Sequence, residues 1–210
     1  MHRNKPFASS SEENKQVILE AIRPYLLTRQ QVLEIASGTG QHAVFFAQQL
    51  PQLIWQTSEL PACHPGIRQW IEDSGLSNVL DPIALDVSQN QWPKTHYDAL
   101  FSANSFHIMS EANVADFFAR VSQVLTDKAL LMIYGPFNYH GRYTSDSNAN
   151  FDHWLKQRNP LSGIKDFEWC QQLAENSGLS MLEDITMPQN NRILVWQKDS
   201  KPNQQVKNRT

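Results

Sequence analysis

The stretch Val32-Leu33-Glu34-Ile35-Ala36-Ser37-Gly38-Thr39-Gly40 decides how the rest of the chain is read. Val32, Leu33 and Ile35 make a short apolar strand, with the carboxylate Glu34 near its end. The chain then passes through small residues into H-A-V-F-F-A-Q-Q-L, His42 to Leu50, an apolar-periodic helix stopped by Pro51. Small residues let the backbone turn tightly and let a ligand approach the peptide groups. A helix start offers unpaired N–H groups and the positive end of its dipole. Strand, small-residue turn and helix N-terminus together suit the anionic or polar end of a nucleotide-type ligand. The same glycines also serve a plain bend.

The turn is not a G-x-G-x-x-G fingerprint, since the first glycine would fall on Ala36 and the third has no match. Nor is it a P-loop, because no Lys-Ser or Lys-Thr follows. It resembles motif I of the class I S-adenosylmethionine-dependent methyltransferases, with Ala36 in place of the first glycine. That resemblance implies that Glu34, Ala36, Gly38 and Gly40 cradle the methionine end of S-adenosylmethionine.

Working outward, 210 residues suit one α/β domain with a real core. A hydrophobic content of 40% with 19% charged residues is that of a globular chain. The net charge of -3 supplies no broad electrostatic footprint for nucleic acid. The longest apolar runs, such as Ala129 to Tyr134, have strand length and fall short of a membrane span. Met1 to Phe7 has no apolar signal core. Cys63 and Cys170 have no companion spacing for a metal site or disulfide framework. The expected location is the cytoplasm, with no metal.

Residues 1–14 read as a polar lead-in, and Ser11 as the cap of a helix running to about Leu27. After the organising turn, Leu53 to Ser58 reads as the second strand and ends at Glu59, 19 residues beyond Gly40. An acidic residue at that distance, closing the next strand, can accept both ribose hydroxyls of a nucleoside. Gly66 to Ser74 is helical, and Val79 to Val87 gives a third strand closing on Asp86. Thus Glu34, Glu59 and Asp86 fall at or near the carboxyl ends of successive strands, the edge where open α/β sheets bind ligands. Tyr97 onward is the fourth strand, followed by Asn104 to His107. Glu111 to Leu125 is an amphipathic helix, and Leu130 to Tyr134 the fifth strand. Phe151 to Gln157 and Asp166 to Ser177 are helices. Leu179 to Met187 and Arg192 to Gln197 form a hairpin. The tail from 199 to 210 is expected to be disordered. This alternation predicts an α/β, Rossmann-like, seven-stranded and mostly parallel sheet with an antiparallel terminal hairpin and helices on both faces. The main domain is 15–198.

Several longer motifs are more specific than the glycine turn. K-P-F-A-S-S-S-E-E-N at Lys5 to Asn14, N-S-F-H-I at Asn104 to Ile108 and Y-G-P-F-N at Tyr134 to Asn138 look like one family. So do S-N-A-N-F-D-H-W-L at Ser147 to Leu155 and M-P-Q-N-N at Met187 to Asn191. The chain resembles a methyltransferase-like family carried as a domain of unknown function and related to a mammalian methyltransferase-like protein. The resemblance spans roughly Lys5 to Lys198. It implies the class I methyltransferase fold and S-adenosylmethionine as cofactor. It also implies that Asp86 meets the adenine amino group while the Val87 N–H meets a ring nitrogen. Asn104 follows the family's fourth-strand motif. The lead-in becomes a lid, with Asn14 as a cofactor contact.

Methyl transfer needs an in-line nucleophile and depends on positioning, with a base only where the attacking atom stays protonated. His107 is a candidate base, Asn138 a candidate positioner of a substrate amine or carboxylate, and Tyr134 a strand residue whose hydroxyl can enter the site. Each also has a structural reading: a buried histidine bonded to backbone, a turn asparagine, a packed ring. Phe137 to Trp154, dense in polar and aromatic residues, is the expected substrate wall. The expected function is a methyltransferase acting on a small polar or aromatic metabolite. The alternative is a non-catalytic S-adenosylmethionine-binding sensor or scaffold. A nucleotide oxidoreductase is opposed by the glycine pattern and the terminal hairpin.

Overall fold

The computed structural model describes residues 5–200. In chain order the elements are α1 (Ser9–Leu26), β1 (Gln31–Ile35), α2 (Gln41–Gln49), β2 (Ile54–Glu59), α3 (His64–Ser74) and β3 (Val79–Ala84). There follow β4 (Tyr97–Ala103), α4 (Glu111–Val121), β5 (Leu125–Gly135), β6 (Phe137–Asn138), α5 (Asp146–Arg158) and β7 (Lys165–Asp166). Last come α6 (Phe167–Asn176), β8 (Leu179–Met187) and β9 (Asn191–Lys198). Seven strands form one sheet in the order β3-β2-β1-β4-β5-β9-β8. The first five run parallel, and β9 is antiparallel to both β5 and β8. This is the α/β sheet with a terminal antiparallel pair that the alternation of elements predicts.

A parallel sheet is covered on both faces, so its central strands bury nearly every side chain. On β1, Leu33 and Ile35 enter one core with Leu100, Leu131, Ile133 and the α4 pair Phe117 and Phe118. Val32 enters the other with Phe101, Met132, Phe46 of α2 and Ile18 and Ile22 of α1. The chain moves outward from β1 to β3 and then returns to the other side of β1 as β4. That reversal opens a crevice at the carboxyl ends of β1 and β4.

Helix α1 begins at Ser9, earlier than a cap at Ser11 implies. Ala8 precedes it without a side-chain cap bond, and the Ala8 N–H donates to Gln41 Oε1 at 2.6 Å. A tertiary contact therefore sets the start. Helix α4 stops at Val121, and Leu125 instead opens β5 by pairing with Tyr97 across a register shift. Helix α5 starts at Asp146, capped by Ser145, whose Oγ accepts from the Asn148 N–H at 3.1 Å. The parallel pair β6–β7 joins segments too far apart for local pattern to reveal. Most of the tail expected to be disordered lies outside the described residues. Asp199 itself is tied back, its N–H to the Gly178 carbonyl at 2.9 Å and its carboxylate to Ser180 Oγ at 2.7 Å.

Past β1 the backbone takes positive φ at Ala36 (58°), Gly38 (57°) and Gly40 (89°). Its polar groups leave the ladder and must be satisfied elsewhere. Ser58 Oγ donates to the Glu34 carbonyl at 2.6 Å, and Ser102 Oγ to the Ile35 carbonyl at 2.7 Å. The Ser37 N–H donates to the Ser58 carbonyl, and the Ser58 N–H to Ser37 Oγ. The two glycines differ. A Cβ on Gly40 would stand 3.2 Å from Ile67 Cγ2 and 3.3 Å from Ile67 Cα, whereas a Cβ on Gly38 meets nothing within 4 Å.

Glu34 is 2% exposed, and its carboxylate accepts from Trp55 Nε1 at 3.1 Å. Burial raises its pKa from 4.5 to about 7, against the Trp55 and Ser37 hydrogen bonds that lower it.

Two outcomes follow. Gly40→Ala, strained in backbone and crowded by Ile67, lowers stability by about 1–3 kcal/mol, and Gly38→Ala by about 1 kcal/mol or less. Denaturant titration of both variants ranks them. For Glu34, a folded-state pKa above the unfolded one gives stability that is complete below pH 4.5 and lost as pH rises through 7. Glu34→Gln therefore gains on the parent by about 2 kcal/mol between pH 5 and pH 7, read from unfolding curves at both pH values.

Candidate functional site

A cavity of about 840 Å³ opens at the carboxyl edge of β1, β2, β3 and β4. Its floor is the turn from Ile35 to Thr39, with His42 from the first turn of α2. One side carries Glu59, at the end of β2, and Leu85, Asp86 and Val87, just past β3. The other side carries Ala103 at the end of β4, Asn104 and Ser105 just past it, Ile108 to Ser110 with Asn113, and Asn159 with Leu161. Pro6, Ala8, Ser10 and Ser11 of the lead-in close over it.

Each wall has a local cause. Glu59 ends β2 and accepts the N–H of Leu60. The Cys63 thiol also donates to its carboxylate, and burial outweighs both in raising the Glu59 pKa. Asp86 Oδ1 accepts the Ser88 N–H at 3.0 Å and Ser88 Oγ at 2.7 Å, which leaves Oδ2 without a partner among the described residues. Asn104 stands at φ 55°, and its N–H donates to the Tyr134 carbonyl at 2.9 Å. Left-handed residues at Ala36, Gly38 and Asn104 therefore ring one cavity, as strained backbone does at binding sites.

The lead-in is seated by several contacts. Lys5 Nζ pairs with Asp73 at 2.6 Å and lies 3.8 Å from the centre of the Trp70 ring. Trp70 Nε1 donates to the Pro6 carbonyl at 2.7 Å. Pro6 rests on Gly66, where any Cβ would displace it. Gln41 Oε1 accepts from both the Ala8 N–H and Thr39 Oγ1, so lead-in and turn share one anchor.

Of the residues singled out from sequence, Ala36, Gly38, Glu59, Asp86, Val87 and Asn104 line this cavity. Gly40 caps α2 beneath it. Glu34 lies behind the wall against Trp55, and Asn14 stands behind His42, with Oδ1 2.7 Å from His42 Nε2. The three candidate catalytic side chains are elsewhere too. His107 is 6% exposed, packs its ring on Phe151, and has its pKa lowered to about 4 by burial and by Lys165. Tyr134 is buried in the core under α1 and α2, with burial raising the pKa of its hydroxyl beside Asn14 and Asn191. Asn138 sits in the β6–β7 pair with Oδ1 buried and unpartnered. None of the three lines the cavity, and neither does any residue from Phe137 to Trp154. Two tyrosines of that stretch are spent on structure: Tyr139 stacks on Phe167 and donates to Asp184, and Tyr143 donates to Asp152.

Sequence reading missed His42, Thr39, Cys63, Asn113, Asn159 and Leu161 as wall residues. His42 carried one signal, its place in the first turn after the glycines. Asn159 and Leu161 carried none, because the loop after α5 is brought over the sheet edge only by tertiary bonds. Among these are Ser162 Oγ to the Ile108 carbonyl at 2.7 Å and Lys165 Nζ to the Met109 carbonyl at 2.8 Å. Among the described residues no helix is long and apolar enough to cross a membrane. No group of three or more His, Cys, Asp or Glu able to hold a metal occurs among them.

Solved structures share this architecture. An O-methyltransferase family protein from Burkholderia thailandensis superposes with a TM-score of 0.81 at 15% identity, over 92% of this chain and 59% of that one. Human N-acetylserotonin methyltransferase in complex with S-adenosylmethionine gives 0.76 at 12% identity, over 91% and 53%. An O-methyltransferase family 2 protein from Planctomyces limnophilus, in complex with apigenin, gives 0.72 at 14% identity, over 89% and 61%. At such identities the likeness is one of fold. The chain spans little more than half the length of these proteins. Residues 5–198 match the sequence model of the family described as Protein of unknown function (DUF938), and the chain belongs to that family.

Proposed function

We propose that the protein is an S-adenosylmethionine-dependent methyltransferase acting on a small polar or aromatic metabolite. The observation that carries this reading is the joint opening of the turn at Ala36 to Thr39, Glu59 and Asp86 into one cavity. The residues fit the cofactor on three counts. Gly38 leaves open space where a Cβ would point. The Glu59 carboxylate sits one strand away, where a ribose diol is bound. Asp86 keeps one carboxylate oxygen for an amino group. A volume of about 840 Å³ lies well inside the range of small-molecule sites and leaves room for an acceptor.

When bound, the cofactor supplies an electrophilic methyl group on a sulfonium. Glu59 holds the ribose hydroxyls, Asp86 accepts from the adenine amino group, and the Val87 N–H donates to a ring nitrogen. The turn backbone and the start of α2 hold the amino-acid end. Across the cavity, Asn104, Ser105, Ser110, Asn113 and Asn159 orient the acceptor by hydrogen bonds, while Ile108, Met109 and Leu161 exclude water. Positioning of this kind supplies most of the rate of an in-line displacement. His107, Tyr134 and Asn138 do not line this cavity, so this reading gives them no direct contact with the reacting groups. The lead-in acts as a lid over the cofactor.

Calorimetric titration tests the cofactor assignment. S-adenosylmethionine and S-adenosylhomocysteine bind at micromolar concentration, and NAD does not. Glu59→Gln and Gly38→Ala each weaken the cofactor about 10-fold or more, the first by losing a charge-assisted pair and the second by filling the cradle. Binding of NAD in place of the methyl donor, or two folded variants with parental affinity, overturns the assignment. Tight cofactor binding without turnover across a metabolite panel would favour a sensor or scaffold.

A further inference from the structure

His42 is 7% exposed and lines the cavity from the first turn of α2. Its ring is stacked on Phe46, centroids 5.3 Å apart at 7°, with an edge contact to Phe101 at 6.3 Å, so its plane is fixed. Nε2 lies 2.7 Å from Asn14 Oδ1. An amide oxygen only accepts, so Nε2 carries the ring proton and Nδ1 keeps its lone pair. Behind the ring the Asn14 amide stands beside the Tyr134 hydroxyl, and that hydroxyl stands beside Asn191. Nδ1 has no partner among the described residues, and it is not one of the sealed, unsatisfied atoms. The side chain is therefore a buried ring with one proton-accepting nitrogen open to the cavity.

The nucleoside is anchored at the ends of β2 and β3, so the amino-acid end of the cofactor falls over the β1 turn and the start of α2. That end carries two groups with opposite needs. The carboxylate finds donors among the N–H groups of the helix start, of which, among the described residues, only that of Gln41 meets a side chain, Thr39 Oγ1 at 3.4 Å. The α-ammonium is a three-fold donor and needs acceptors. We propose that His42 Nδ1 accepts a hydrogen bond from the α-ammonium group of the cofactor's methionine end, held in that tautomer by Asn14. Burial and the nearby Lys15 lower the ring pKa to about 4, which keeps it neutral and able to accept at physiological pH. The inference rests on the cavity being the S-adenosylmethionine site. It makes Asn14 a positioning residue acting through His42, in place of the direct cofactor contact expected from sequence.

The test compares ligands that differ at one end, titrated into the full chain. S-adenosylmethionine and S-adenosylhomocysteine carry the amino-acid group, and methylthioadenosine lacks it. His42→Phe keeps the ring stack and removes both nitrogens, while His42→Ala removes the ring. Both weaken the first two ligands about 10- to 100-fold, the scale of one hydrogen bond to a charged group, and leave methylthioadenosine within about 2-fold. Unchanged methylthioadenosine affinity also reports that the site is folded. Equal weakening of all three ligands, or of none, overturns the role. Nitrogen-15 spectra of the ligand-free protein show the Nε2–H tautomer at His42, and an Nδ1–H tautomer overturns it as well. Asn14→Ala mixes the two tautomers and weakens S-adenosylmethionine but not methylthioadenosine, and a ring tautomer unmoved by this change removes Asn14 from the relay. Should no adenosyl ligand bind the parent, the cofactor reading itself fails and the inference with it, an outcome separate from selective retention of methylthioadenosine.

Discussion

The protein depends on how the carboxyl end of β1 leaves the sheet. A parallel strand that turns sharply at its end strips its last peptide groups of ladder partners, and buried polar groups left unpaired are costly. Three serines resolve this. Ser58 Oγ takes the Glu34 carbonyl, Ser102 Oγ takes the Ile35 carbonyl, and Ser37 exchanges bonds with Ser58. Ser102 is in turn 2.6 Å from Ser105 Oγ, which ties the β4 loop into the same set. These bonds come from the strands on either side of β1, so the turn is fixed only when the sheet is assembled. With the turn fixed, the backbone can hold positive φ at Ala36 and Gly38 on the floor of the cavity and at Gly40 beneath it.

The cavity is then completed from parts remote in sequence. Glu59 and Asp86 arrive on neighbouring strands, while the loop after α5 is drawn over from the far side by Ser162 and Lys165. The lead-in is pinned to α3 by Lys5, Pro6 and Trp70, and to the turn through Gln41. Carboxylates dominate the charge of the wall at the ends of β2 and β3. Glu34 and Glu59 both have raised pKa values, chiefly from burial, and Glu34 feels Glu59 as well. A ligand carrying hydroxyls and positive charge suits such a wall better than an anion does.

The parts of the candidate site that could be read from sequence share one property. Gly38, Glu59 and Asp86 sit where a strand ends, and strand ends are legible from hydrophobic runs and turn residues. His107 and Asn138 follow β4 and β5, and Tyr134 lies near the end of β5, yet none of the three lines the cavity. At these positions a shift of one residue decides the face on which a side chain lies. His107 sits beneath Phe151, and Tyr134 alternates into the α1–α2 core. The polar and aromatic run from Phe137 to Trp154 looked like a binding wall because composition does not record partners. Its tyrosines had already found theirs in Asp184 and Asp152.

By itself the sequence determined the order and kind of the elements, the mostly parallel sheet with its antiparallel end, and the strand termini that carry the carboxylates. Those properties follow from hydrophobic period, turn chemistry and the handedness of strand connections, all of which are local or nearly so. Only the tertiary structure decided the start of α1 at Ser9, the short pairing of β6 with β7, and which polar side chains face the cavity. The reason is physical: each of these depends on hydrogen bonds between distant segments. Ala8 to Gln41, Asn14 to His42 and Ser162 to Ile108 are examples, and no local periodicity encodes such bonds.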